Sequence, residues 1–256
     1  MKKNSRMAEK TASGDMPLSG HLRELRNRLL VCFAALAAGM LICMYLAGDI
    51  VRMMIDMGAR YGYRYVYIAP QEMLLAHVSV AVAGAVVLSV PIIAHQAYCF
   101  ALPGLEKKEQ RTVLFSLLFG MLCFLAGVLF AWKISLPFML YFLINFGKSL
   151  NVAASVSIRE YIGFLTTVLL IFGTVFELPV ISALLTSLGI LKSSWMAKGR
   201  KFMIIVIFLI AAVITPPDII SQIMVGIPMC LLYEISIRIS KLFEKKRSGN
   251  TKQEEL

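Results

Sequence analysis

A chain of 256 residues that is 59% hydrophobic and 16% charged, with a mean hydropathy of +0.76, lies outside the soluble globular range and points to a polytopic helical membrane protein. Its net charge of +11 invites a nucleic-acid reading, but the basic residues lie between apolar runs, where they act as topology signals and contacts to anionic lipid heads. Alternating segments of about ten residues, the mark of a membrane barrel, are missing, and no P-loop, nucleophile elbow, H-E-x-x-H motif or pair of catalytic carboxylates is visible.

In chain order, residues 1–16 read as a flexible cytoplasmic N-terminus, 17–240 as one integral membrane domain and 241–256 as a polar cytoplasmic tail, disordered past Ser248. In HLRELRNRLL (21–30), Leu22, Leu25 and Leu29 continue a helical apolar stripe from Leu18. Periodicity alone makes this an interfacial lead-in to helix one, with Glu24 paired to Arg28 at i, i+4. The uncharged run 29–48 is the first helix, longer than the apolar core of a secretory signal. A polar loop, 49–72, follows, whose Tyr61, Tyr63, Tyr65 and Tyr67 suit a membrane interface.

Residues 73–105 carry no charge; Pro91 is expected to kink this second helix, and Gln96 to Leu105 to leave the membrane core. The third helix is 112–132. Leu136 to Phe146, flanked by Lys133 and Lys148, is too short for a crossing and reads as a lid or interfacial segment. The fourth helix, Tyr161–Leu191, holds a single charge, Glu177, at its middle. A carboxylate at that depth costs roughly 2.5–3.5 kcal/mol, which marks it as functional; the structural alternative is a packing residue beside a proline kink. The last two runs, 202–217 and 219–233, are short for a bilayer core of about 30 Å and imply local thinning. They meet in a tight turn at Thr215-Pro216-Pro217-Asp218, with Asp218 capping helix six.

Six spans place 20 of the 26 lysines and arginines on the side that holds both termini and 6 on the other, so both termini are expected in the cytoplasm. An odd number of spans would strand the basic tail outside. The five cysteines form no C-x-x-C and read as small buried hydrophobes, with no metal or cofactor implied.

Six markers in order make the chain resemble TatC, the polytopic receptor subunit of the twin-arginine protein translocase. They are His21-Leu-Arg-Glu-Leu-Arg-Asn-Arg-Leu29, Pro70-Gln-Glu72, Ser89-Val-Pro91, the stretch Phe100 to Glu109, Phe176-Glu-Leu-Pro179, and Thr215-Pro-Pro-Asp-Ile-Ile-Ser-Gln222 with Ile227-Pro-Met229. The resemblance covers roughly residues 17 to 240. It implies an all-α bundle of six transmembrane helices, cupped and concave, in the plasma (inner) membrane. It also implies receipt of twin-arginine signal peptides on folded precursors, export driven by the proton-motive force without nucleotide hydrolysis by this subunit, and assembly with TatA-type and TatB-type single-span partners as part of an oligomeric receptor complex.

By motif, the resemblance assigns signal-peptide contacts to Glu24, Arg26, Phe100, Leu105 and Glu109, and partner-helix contacts to Glu177, Pro179 and Gln222. Pro216, Pro217 and Asp218 shape the outer turn. Two carboxylates suit two guanidinium groups because arginine binds them bidentately. Two departures stand out: residues 49–60 contain no proline, and Gln110 occupies a position that is often basic. The competing reading is a small-solute or ion-coupled transporter with Glu177 as relay, against which stand the single intramembrane acid and the lack of repeated halves.

Overall fold

A computed structural model of the chain describes residues 18–102, 107–148, 155–215 and 219–254. The expectations for 1–16, Leu105 and Pro216-Pro217-Asp218 fall outside those residues. The fold is all-α apart from two three-residue strands: α1 (Leu18–Ala59), β1 (Arg64–Val66), α2 (Glu72–Ala101), α3 (Lys107–Phe130), a π-helical turn (Ala131–Ser135), α4 (Leu136–Lys148), β2 (Ser155–Ser157), α5 (Ile158–Val175), α6 (Leu178–Ser187), α7 (Ser193–Lys198), α8 (Arg200–Ile214) and α9 (Ile219–Glu254). Five stretches, Leu22–Ala59, Glu72–Ala101, Glu109–Phe146, Ile158–Ser187 and Ile219–Lys245, are long and apolar enough to cross a membrane. The 15-residue α8 is the sixth apolar helix and the shortest of the six. This is a multi-pass helical membrane protein.

The elements differ from the sequence expectations where a charge does not end a helix. The first helix runs over 42 residues, not 29–48, because Asp49, Arg52 and Asp56 interrupt apolarity but not backbone hydrogen bonding. It stops at a turn where Gly62 takes a φ of 98°. Helix three does not end at Trp132 before a separate lid. It passes through the π turn into α4, whose Leu136, Met139 and Leu140 are buried in the core. Pro137 explains the turn: its ring would collide with the carbonyl four residues back, and the wider turn, in which the Leu136 N–H donates to the Ala131 carbonyl, relieves that clash.

The fourth span is not one helix but α5 and α6, broken at Phe176–Glu177, with Pro179 in the first turn of α6. Pro91, by contrast, sits inside the continuous α2. The run 219–233 is not a short helix. Glu234 pairs with Arg200 at 2.8 Å, and α9 continues past it to Glu254, beyond the expected disorder at Ser248.

One end of the bundle is capped. β1 and β2 pair in parallel, with Tyr65 opposite Val156. The loop tyrosines expected at the interface are in part structural. The Tyr63 hydroxyl donates to the Leu140 carbonyl (3.1 Å), Tyr65 to Ile55 (3.0 Å) and Tyr161 to Met54 (2.7 Å), while Tyr67 stays exposed. Burial pushes the Tyr63 phenol up to about 12. Glu72, from the Pro-Gln-Glu marker, is buried and accepts from the Ser157 hydroxyl (3.1 Å) and the Ile68 N–H (3.4 Å), so it bolts the start of α2 to β2 and to the loop that follows β1.

At the other, terminal end, the Ser193 hydroxyl and N–H both donate to Glu244, and Thr186 shares a 2.6 Å bond with Ser240, so α6, α7 and α9 form one block. The core lies around α5, the most buried span, with Ile162, Leu165 and Phe172 packed against Val51, Val80, Ile207 and Met229. Outward-facing Leu41, Leu122, Val213 and Leu231 are 60–83% exposed. They form the apolar surface that a bilayer covers.

Candidate functional site

Two places bring together residues singled out in the sequence. The first is at the terminal end, where the early turns of α1 lie beside the last turns of α2. Helical spacing sets Arg28 one turn below Glu24, and its guanidinium Nε donates to Glu24 Oε1 at 3.0 Å while Nη2 reaches the same oxygen. The third nitrogen, Nη1, reaches Gln96 Oε1 on α2 at 3.4 Å. Arg23, Glu24, Asn27, Arg28, Val31 and Gln96 line a groove of about 510 Å³. Side-chain exposures of 24% for Arg28 and 22% for Glu24 leave the pair open at the groove's mouth.

Arg26 is exposed on α1 and does not line this groove. Phe100 lies half-buried in the last turn of α2, and Glu109 lies half-buried in the first turn of α3, where a carboxylate complements the helix dipole. Neither lines the groove with Glu24. Leu105 lies outside the described residues.

The second place is the break between α5 and α6. Glu177 forms the N-terminal cap position of α6, its N–H donating to the Thr174 carbonyl (3.1 Å) and its carbonyl accepting from Val180 and Ile181. Its carboxylate is directed across to α3 and makes no hydrogen bond or ion pair among the described residues. A methyl group on Gly120 would lie 2.6 Å from Glu177 Oε2, so the carboxylate in this position rests against the bare backbone of that helix and any side chain there would push it aside. Around it is a cavity of about 330 Å³ lined mainly by apolar side chains of α2, α3 and α6, with Val90, Leu117 and Ile181 among them. A half-buried carboxylate facing an apolar cavity is a ready acceptor for a polar group on an approaching helix.

Pro179 is buried in α6 and Gln222 is half-buried, its amide donating to the Phe208 carbonyl at 2.8 Å; Gln222 therefore ties α9 to α8 within the chain. Sequence reasoning missed Gln96, Gly120 and the buried role of Glu72. Gly120 carries no local signal, since an isolated glycine in an apolar helix has several explanations. The family marker held Glu72 but not its partner Ser157, 85 residues away.

A family model described as the Sec-independent protein translocase protein TatC matches residues 20–228. The chain is 34% identical over 238 residues to the Sec-independent protein translocase protein TatC of Helicobacter pylori, covering 93% of this chain and 94% of that one. To the TatCy protein of Bacillus subtilis it is 35% identical, over 90% of this chain and 91% of the relative. A crystal structure of the twin-arginine translocase receptor TatC superposes with a TM-score of 0.81 at 33% identity, covering 87% of this chain and 99% of that one.

Proposed function

The chain belongs to the TatC family of Sec-independent protein translocase proteins, and on that premise we propose that it receives twin-arginine signal peptides at its terminal face and nucleates assembly with single-span partners of the TatA and TatB type. Glu24 and Glu109 each take an arginine, with Arg26, Phe100 and Leu105 along the bound signal. The observation that carries the reading is the Glu24–Arg28 pair. At the groove mouth, Glu24 already holds a guanidinium through two nitrogens, the chemistry that an arginine signal requires. An incoming arginine exchanges with Arg28, which keeps Gln96 as an alternative partner. A pair at about 4 Å is worth roughly 4 kcal/mol at an effective dielectric of 20, and less at this exposure.

The excess of basic residues supports a cytoplasmic terminal face in the plasma (inner) membrane. Glu177 in its apolar cavity receives a polar group from a partner helix, with Pro179 fixing the break that aims it. The chain itself performs no catalytic step, and transport draws on the proton-motive force. Replacing Glu24 and Glu109 together by glutamine is expected to abolish crosslinking of a twin-arginine peptide while membrane insertion persists. Crosslinking at the original yield would remove both acids from the site.

A further inference from the structure

A cavity of about 720 Å³ is used by neither site. It lies at the capped end between α4, α5 and the end of α8. Its arrangement along α5 is ordered. Arg159, Gly163 and Thr167 recur every four residues and so lie on one helical face, spanning about 12 Å. Arg159 and Glu160 line the opening, both exposed and neither in a salt bridge among the described residues. One turn deeper, a methyl group on Gly163 would meet nothing within 4 Å, so the wall is open at that level. Leu140 of α4 and Ile214 at the end of α8 supply an apolar lining.

We propose that this cavity binds one zwitterionic phospholipid, phosphatidylethanolamine, from the leaflet on the capped side: the phosphate rests on Arg159, the ammonium on Glu160, and an acyl chain passes Gly163 along the apolar wall. Three features select this occupant. The charged opening above an apolar wall matches an amphiphile and not a small polar solute. One cation beside one anion gives an opening with no net charge, which complements a zwitterion and not an anionic head group. The opening lies at the end of a membrane span, the depth at which lipid head groups sit. A lipid there would fill the space between α4, α5 and α8 without a protein partner.

The test is native mass spectrometry of the full chain released from nanodiscs holding equal parts of phosphatidylethanolamine and phosphatidylglycerol with the same acyl chains. One phosphatidylethanolamine retained per chain is expected for the wild type. Gly163→Leu, which grows into open space and is accommodated without displacing neighbours, is expected to lower retention roughly tenfold. Glu160→Gln removes the ammonium partner and is expected to shift retention toward phosphatidylglycerol. Thermal unfolding of each variant verifies that the fold is kept. Equal retention of both lipids by the wild type, undiminished retention in Gly163→Leu, or a copurifying protein segment in the cavity in place of lipid would each overturn the proposal.

Discussion

Glu72 is the residue whose replacement tests the capped end most directly. It is 7% exposed, and its Oε2 accepts from Ser157 Oγ at 3.1 Å and from the Ile68 N–H at 3.4 Å. Glu72→Ala leaves the buried Ser157 hydroxyl without an acceptor for its proton, though it still accepts from the Glu160 N–H, and frees the loop that leads from β1 into α2. A hydrogen bond to a charged group contributes roughly 1.5–3 kcal/mol, and the 3.4 Å contact is the weaker of the two, so a loss of about 2–4 kcal/mol is expected. Glu72→Gln keeps an acceptor and should lose about 1 kcal/mol. For a domain of this size 1 kcal/mol moves Tm by roughly 2–4 °C, which makes the alanine variant readable in a detergent-solubilised melt. Ser157→Ala in a double-mutant cycle isolates the pair: the two losses should fall well short of additive. If Glu72→Ala melts with the wild type, or the cycle is strictly additive, Glu72 does not bolt the cap, and its place in the Pro70-Gln-Glu72 marker needs another explanation.

Gly120→Val is expected to displace the Glu177 carboxylate from α3 and to weaken crosslinking from a probe at position 181, in the same cavity, to a single-span partner by about tenfold, with the fold retained; unchanged crosslinking would place the contact elsewhere. Because burial raises the Tyr63 phenol to about 12 from 10, the folded chain holds the neutral form more firmly than the unfolded chain does. That stability is fully present below pH 10 and is lost as pH rises through 12, so Tm should fall with pH across that window in wild type and fall less in Tyr63→Phe. Ser240→Val removes the partner of Thr186 in the buried contact between α6 and α9 and should lower Tm, by roughly 1–3 kcal/mol of stability, whereas the paired change with Thr186→Val should recover part of the loss.

What was legible in the sequence was what depends on short-range order. The Glu24–Arg28 pair follows from helical spacing, and the Glu177 signal from one charge in a long apolar run. Helix ends were less legible, because cutting the chain at charges assumes that a charge leaves the membrane. Glu234 breaks that assumption by pairing with Arg200, and Lys133 by lying in a π turn forced by Pro137. Contacts between distant segments were not legible at all: Arg28 with Gln96 spans 68 positions and Tyr63 with Leu140 spans 77. No local pattern encodes them. The parallel pairing of β1 and β2 was hidden for the same reason, since three residues are too few to alternate visibly.

The distribution of long-range hydrogen bonds bears on how Glu177 is held. α5 is fixed at the capped end through Tyr161 and Ser157, which bind α1 and α2. α6 is fixed at the other end by Ser182 and Thr186, which bind α9. Between these two braces the backbone is interrupted at Phe176–Glu177, where Pro179 cannot donate and the ladder of helical bonds is incomplete. The helices on either side of the break are thus hydrogen-bonded to different parts of the molecule while both pack on α3. The carboxylate therefore stands at a break between two helices and not on a continuous one, resting against Gly120 of α3.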